Sequence, residues 1–254
     1  MKQTSVLDKY AHEYDLMTNA IAREETHSRE VAALINRFKP NSVLDAGCAT
    51  GLTTWLFSRR GIATVGLDHS RDMLRVARGK FADTDYPMRF MYGAFEDLPH
   101  SLTGKFDLVV CLANAIVGTR SVGGLTKALR GFHRVLEPGG HLVIQMLNYS
   151  AMKEGEVRPI RVTERDGLYF LRYSIRRGNK LNMHVIRLDT RQTPPDFEPF
   201  VTEFENFDVA TVTGALRKTG FAKLRKFGNL LLSKRFNRTA RDLVLVASRP
   251  SGRS

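Results

Sequence analysis

Apolar and polar positions change period along this chain. Between residues 42 and 147, short apolar runs alternate with segments of helical spacing. Residues 42–46, Ser-Val-Leu-Asp-Ala, predict a short buried strand, after which Leu52, Trp55, Leu56 and Phe57 recur at helical spacing. Residues 64–68 predict the next strand, and Ser70 is placed to cap a helix carrying Met73, Leu74 and Val76. Further strands are expected at 89–92, 106–112 and 141–147, the last after a helix over about 124–136 that ends at Glu137-Pro-Gly-Gly140. Such alternation implies right-handed crossovers and a parallel sheet covered on both faces. Ahead of it, residues 6–38 read as one or two helices with Val31, Leu34, Ile35 and Phe38 on one side. Behind it the period falls to two. Gly167 and Arg177-Gly-Asn179 punctuate segments such as 168–173 and 181–188, which predict antiparallel strands. A helix over 207–219, stopped by Gly220, then precedes a closing strand pair at 221–227 and 243–247, and residues 250–254 have the make-up of a loose tail.

Composition narrows the classes. With 254 residues, 43% of them hydrophobic, the chain can bury a core in one large domain, which excludes a wholly disordered polypeptide. No apolar stretch approaches the ~20 residues a membrane helix needs. Residues 1–15 lack the apolar segment of a secretory leader. Cys48 and Cys111 are too few for a disulfide framework or a zinc site, so no metal is expected and the reducing cytoplasm is the expected compartment. The formal charge of +13 is local. Residues 1–157 are close to balance, whereas 158–191 carry nine bases against three acids and 214–254 carry eleven against the single Asp242; residues 192–213 hold five acids and no base.

The sharpest chemical signal is Val43-Leu-Asp-Ala-Gly-Cys-Ala-Thr-Gly-Leu52, where a strand ends, the chain turns on Gly47 and a helix opens near Gly51. Backbone N–H groups and a close backbone approach are thereby offered to a ligand. Asp68, at the end of the next strand, is placed to accept hydrogen bonds from ribose hydroxyls. Together these say nucleoside cofactor. The turn lacks the G-x-G-x-x-G spacing of a dinucleotide site, and the Asp45 carboxylate beside it would repel a pyrophosphate and favour a cationic amino-acid group.

The segment resembles the first motif of class I S-adenosylmethionine-dependent methyltransferases. Gly66-Leu-Asp-His-Ser70, Gly93-Ala-Phe-Glu-Asp-Leu-Pro99, Lys105-Phe-Asp-Leu-Val109 and Leu136-Glu-Pro-Gly-Gly-His-Leu-Val143 resemble its later motifs in order. The resemblance runs over about residues 34–148. It implies an α/β fold: a Rossmann-like, doubly wound, mostly parallel seven-stranded sheet with an antiparallel last strand, N-terminal helices and a small β-rich insertion after strand five. It also implies one methyltransferase domain over 1–254, divided into a helical lid (1–38), a cofactor-binding core (39–150), a β-rich substrate cap (151–206) and completion of the sheet (207–249). S-adenosyl-L-methionine is the implied cofactor. By the same resemblance Asp45, Gly47, Cys48 and Gly51 line its methionine end, Asp68 holds the ribose, His69, Ala94 and Phe95 lie along the adenosine, and Leu112 sits near the sulfonium. Two positions depart from the pattern: Ala49 replaces the usual middle glycine, and Ala94 stands where an acidic residue often contacts the adenine.

Methyl transfer from a sulfonium is an in-line displacement that chiefly needs a held nucleophile and an absence of water. Leu112-Ala-Asn114, and Gln145-Met-Leu-Asn-Tyr149 after strand five, resemble the glycine/sarcosine N-methyltransferase-like branch of small-molecule enzymes, which makes Tyr14, Asn114, Asn148 and Tyr149 the candidate catalytic residues. Tyr10 and Tyr14, one helical turn apart, resemble that branch's lid. Each has a plainer reading: Asn114 and Asn148 as strand-ending turn residues, Tyr10 and Tyr14 as packing aromatics, His133 and both cysteines as buried structural groups. The basic connection 228–240, with Lys234, Arg235 and Arg238, and the insertion arginines Arg158, Arg161, Arg172, Arg176 and Arg177 would form a positive rim at the substrate entrance. A small anionic metabolite with an N or O acceptor is the leading expectation. RNA or another macromolecule is the alternative, weakened by the absence of an Asn-Pro-Pro-aromatic motif after strand four; a non-catalytic cofactor-binding partner is a third.

Overall fold

A computed structural model describes residues 6–252, so residues 1–5 of the expected helical lid and 253–254 of the expected tail lie outside the described residues. The chain opens with α1 (Val6–Lys9), α2 (Tyr14–Thr18) and α3 (Ala20–Phe38), with a 310 turn at Ala11–Glu13. The expected one or two helices are thus three pieces. Asn19, at a φ of 54°, makes the break between α2 and α3, a left-handed position that asparagine tolerates.

The core alternates as its periodicity predicts: β1 (Ser42–Ala46), α4 (Leu52–Ser58), β2 (Ala63–Asp68), α5 (Arg71–Lys80), β3 (Met88–Tyr92), β4 (Phe106–Cys111), α6 (Val122–Val135) and β5 (Leu136–Leu147). Four strands follow as an insertion, β6 (Val157–Arg165), β7 (Leu168–Arg177), β8 (Lys180–Asp189) and β9 (Asp196–Glu205), before α7 (Val209–Lys218), β10 (Ala222–Phe227) and β11 (Asp242–Ser248). The seven-stranded sheet has the order β10-β11-β5-β4-β1-β2-β3. β11 alone runs antiparallel to its neighbours. Side-chain caps start the crossover helices: Met73 N–H donates to Ser70 Oγ at 3.1 Å, Gly124 N–H to Ser121 Oγ at 3.0 Å and Thr211 N–H to Asp208 Oδ1 at 2.7 Å. Each is worth about 1 kcal/mol. On α6 the inward stripe Leu125, Ala128, Leu129, Phe132 and Val135 is buried against one face of the sheet, and Val31 and Leu34 of α3 with Leu56 and Phe57 of α4 cover the other. Truncating Phe132 to alanine would cost roughly 3–5 kcal/mol.

Two elements depart from expectation. Glu137-Pro-Gly-Gly140 is the opening of β5 and not a loop. Gly139 N–H donates to Arg249 O (3.0 Å) and Arg249 N–H to Gly140 O (2.8 Å), so the end of β11 holds the tetrapeptide in the sheet while a register shift against β4 absorbs the extra residues. In the acidic stretch, Asp196–Glu205 is a full strand paired with β8 along its whole length. Its prolines and acids hid a period-two pattern that side-by-side pairing restores.

Sheet order reverses between β1 and β4, and ligands of such sheets lie outside the carboxyl ends of the strands at that switch point. The four-stranded antiparallel insertion, order β6-β7-β8-β9, caps this edge. Its inner face packs at one end on α2 through Met17, Leu168, Phe170 and Val185, and at the other on Tyr149 and Met152 through Leu181.

Candidate active site

The turn after β1 is held open by backbone hydrogen bonds. Gly47 and Cys48 N–H both donate to Leu67 O, at 2.8 and 3.1 Å, which ties the turn to the end of β2. Gly47 has a φ of 85°, and a Cβ there would stand 2.6 Å from Ala115 Cβ, so only glycine fits. Ala49 adopts a φ of 47°, the same left-handed region without glycine's freedom. Its N–H donates to Asp68 Oδ2 at 2.9 Å, while Ser70 N–H donates to Oδ1 at 2.9 Å. Asp68 is therefore fixed at the carboxyl end of β2 with one lone pair of each oxygen left over.

Asp45 is buried at the end of β1 and accepts a hydrogen bond from Thr54 Oγ1 at 2.7 Å. Burial, only partly opposed by that hydrogen bond, pushes its carboxyl up to about 6. Among the described residues no cation forms an ion pair with it. Around it, Tyr14, Asp15, Thr18, Arg23, His27, Thr50 and Leu112 line a narrow pocket against the glycine turn. Asp15 closes this pocket over the turn, accepting from Thr50 Oγ1 (2.5 Å) and Lys80 Nζ (2.6 Å). His27 joins Glu30 (2.9 Å) to Thr53 (2.8 Å) behind it. Arg23 Nε is sealed from solvent without a partner. Asp15, Arg23 and His27 carried no signal in the sequence; they lie in helices remote from every motif, and only the tertiary fold brings them to the turn.

The other sequence-predicted residues divide by what they touch. His69 is exposed, with Nδ1 3.5 Å from Asp68 Oδ1. Phe95 is buried against Phe132, its ring beneath Gly47, and Ala94 pairs with Asp97 in a tight bridge. Cys48 and Cys111 are buried free thiols whose titration burial raises, which keeps them protonated. Asn114, at a φ of 70°, accepts from Leu147 N–H at 3.1 Å, so its side chain ties β4 to the end of β5. Asn148 donates through Nδ2 to Arg238 O (3.0 Å) and Ala240 O (2.9 Å), pinning the basic connection, and leaves its buried Oδ1 without a partner. Tyr149 is buried, and burial pushes its hydroxyl up to about 12; it lies beside Ser174 and Asn114 and hydrogen-bonds neither. Tyr10 and Tyr14 part company across the 310 turn: Tyr10 packs edge-on against Phe200 of the cap, and Tyr14 reaches the pocket. His133 packs against Phe221, on the α6–α7 side.

The expected positive rim is also sorted by the fold. Arg158 donates to Asn148 O and Glu156, and Arg176 to Met152 O and Gly178 O. Lys234, Arg235 and Arg238 are exposed on the connection between β10 and β11. Among the described residues no group of three or more His, Cys, Asp or Glu is arranged to hold a metal, and no helix is long and apolar enough to cross a membrane.

The cradle fits the methionine half of a sulfonium cofactor: glycines where a Cβ would clash, a buried unpaired carboxylate for an ammonium group, an orphaned guanidinium nitrogen for a carboxylate. This sheet order, with that cradle at its switch point, is the class I S-adenosylmethionine-dependent methyltransferase fold. Comparison with known proteins agrees. Residues 43–140 match the methyltransferase domain family. A glycine/sarcosine N-methyltransferase of Parasynechococcus marenigrum (strain WH8102) is 27% identical over 204 residues, 73% of this chain and 72% of its own length. A ubiquinone biosynthesis O-methyltransferase of Alkalilimnicola ehrlichii is 30% identical over 118 residues, 46% of each chain. Among solved structures, an S-adenosylmethionine-dependent methyltransferase from Clostridium acetobutylicum superposes with a TM-score of 0.79 over 97% of this chain and 100% of its own, at 16% identity. In domain, fold and cofactor class, the chain is an S-adenosylmethionine-dependent methyltransferase.

Proposed function

We propose that the protein transfers a methyl group to a nitrogen or oxygen of a small anionic acceptor held between the sheet edge and the cap. The observation that carries this reading is the set of buried polar atoms without partners where cap and edge meet: Tyr149 Oη, Ser174 Oγ and Arg172 Nε. Buried polar groups are nearly always hydrogen-bonded, and a cluster that is not marks where a ligand completes the bonding. One similar relative methylates nitrogen and another oxygen by name, so both acceptor atoms stay within the proposal.

When bound, S-adenosylmethionine supplies an electrophilic methyl group and a good leaving group; the chain's own residues hold and shield. Asp45, Gly47, Cys48 and Gly51 take the methionine end, with Arg23 for its carboxylate. Asp68 takes the ribose hydroxyls through its unused lone pairs, His69, Ala94 and Phe95 flank the adenosine, and Leu112 borders the reacting centre. Tyr14 and Tyr149, both neighbours of Arg172, border the acceptor, and Asn114 and Asn148 fix the backbone at the ends of β4 and β5. Closure by α2 and the cap excludes water, which an in-line displacement requires. A general base is optional when the acceptor is a neutral amine.

The test is transfer of label from methyl-labelled S-adenosylmethionine into cell extract resolved into anionic small molecules, neutral small molecules, RNA and protein. Label in the anionic small-molecule fraction is the expected result. Label confined to RNA or protein would overturn the reading.

A further inference from the structure

Five arginines share the inner face of the cap: Arg158 and Arg161 on β6, Arg172 and Arg176 on β7, and Arg187 on β8. Three of them have partners within the fold. Arg187 is held by Glu13, Asp189 and Asp196; Arg158 by Glu156 and a carbonyl; Arg176 by two carbonyls. Among the described residues Arg172 has no hydrogen-bond or ion-pair partner, and its Nε is shut away from solvent. Directly across the ladder from it stands Arg161, also without a partner.

Two like charges opposite one another on antiparallel strands repel. Here no ion pair relieves the repulsion among the described residues: the groups acting most strongly on Arg172 are Tyr14, Arg23, Arg161 and Tyr149, and burial lowers its guanidinium to about 10. A half-buried cation that the fold neither neutralises nor releases to water costs stability and returns nothing within the chain. The surroundings specify what would relieve it. The Nε edge of a guanidinium presents two parallel N–H groups matched to two oxygens of one anion. Ser174, the next inward residue on β7, and Tyr149 beside it bring two further hydroxyls without partners. Tyr14 links this group to the pocket at the glycine turn, being a neighbour of Arg172 and a wall of that pocket.

Resting on the methyl-transfer reading above, we propose that Arg172 is the anchor for an oxyanion, a carboxylate or a phosphate, on the methyl acceptor, with Arg161 as flanking cation and the Ser174 and Tyr149 hydroxyls completing its hydrogen bonds. The cap thereby selects the acceptor by its charge, and the acceptor atom is presented towards Tyr14 and the cofactor pocket. Ser174 and Tyr149 are buried and Arg172 is half-buried, which suits one anionic group of a small molecule; the exposed Lys234, Arg235 and Arg238 are not part of the group.

The experiment is calorimetric titration of the S-adenosylhomocysteine complex with acetate, benzoate and inorganic phosphate, and with acetamide and benzamide as neutral controls. At least one anion is expected to bind the wild type at least tenfold more tightly than the amides. Arg172→Met should lose that binding by tenfold or more while its S-adenosylhomocysteine affinity stays within about twofold. Arg172→Lys keeps the charge and the stem but not the two-pronged edge; it should lose severalfold and serves if Arg172→Met does not fold. A response to acetate or benzoate assigns a carboxylate, and one to phosphate alone assigns a phosphate group. Amides binding as well as anions, or the foldable variant binding anions like the wild type, overturns the proposal. Failure of the wild type to bind S-adenosylhomocysteine overturns the methyl-transfer reading and this proposal with it, whereas intact cofactor binding without an anion response overturns this proposal alone.

Discussion

Arg187 and Arg172 project from neighbouring strands to the same side of the cap, yet their surroundings are opposite. Arg187, 6% exposed, spends Nε and Nη2 on Glu13 at 2.8 and 2.9 Å and Nη1 on Asp196 at 2.9 Å, with Asp189 at 3.2 Å and Tyr10 under its guanidinium. It joins the 310 turn between α1 and α2 to the cap across 174 residues of sequence. Arg172 has no such closure. The difference teaches how to separate a charge that builds the molecule from one that the molecule holds ready: a saturated guanidinium fixes structure, and an unsaturated buried one fixes a ligand.

The widest break in that comparison should come from Arg187→Met. It leaves the buried Glu13 without its cation and Asp189 with Arg191 alone, and urea titration should register a loss of about 3–5 kcal/mol, with the N-terminal helices released from the cap. The cofactor edge sharpens the contrast, because Asp68 stands between the two cases: it is tied to Ala49 and Ser70 and still has lone pairs free. Asp68→Ala should weaken S-adenosylmethionine binding by roughly 30-fold, about 2 kcal/mol, and also lower stability; calorimetry and urea titration together check both.

Asp45 lies nearer the unsaturated case. Burial raises its carboxyl to about 6, so in the cofactor-free protein the group is largely neutral below that pH and ionised above it. A cationic ammonium or sulfonium favours the ionised form. Cofactor affinity should therefore climb about tenfold between pH 5 and pH 7.5, levelling off above about 6, and Asp45→Asn should flatten the profile in titrations across that range. The smallest effect isolates backbone alone. Ala49→Gly relieves a left-handed alanine and should add about 0.5–1 kcal/mol of stability by urea titration, with cofactor affinity unchanged within twofold.

Where the sequence could be read and where it could not follows the same division. β1, β2, the turn at 47–51 and the capped start of α5 depend on neighbours a few residues away, so spacing alone placed Asp45, Gly47, Gly51 and Asp68 at one sheet edge. β9 was hidden because Pro199 and four acids mask an alternation that only β8 makes visible. The arginines of the cap look alike in sequence; whether one meets Glu13 or nothing is decided by α1 and α2 folding back onto the insertion. The rim read from local charge was therefore right about where bases accumulate and blind to which are neutralised. Tyr10 and Tyr14, four residues apart, were read as one face of a helix, and the 310 turn between them sends one to Phe200 and the other to the cofactor pocket.

The central claim is that Arg172 is held against the stability of the cofactor-free fold, in contrast to Arg187. The direct measurement is urea unfolding of Arg172→Met beside the wild type, both free of cofactor and acceptor. A gain of about 1 kcal/mol is expected, since a methionine fills the same space without an unpaired charge. A loss comparable to that of Arg187→Met would contradict the account, showing that Arg172 is as much a structural residue as its neighbour.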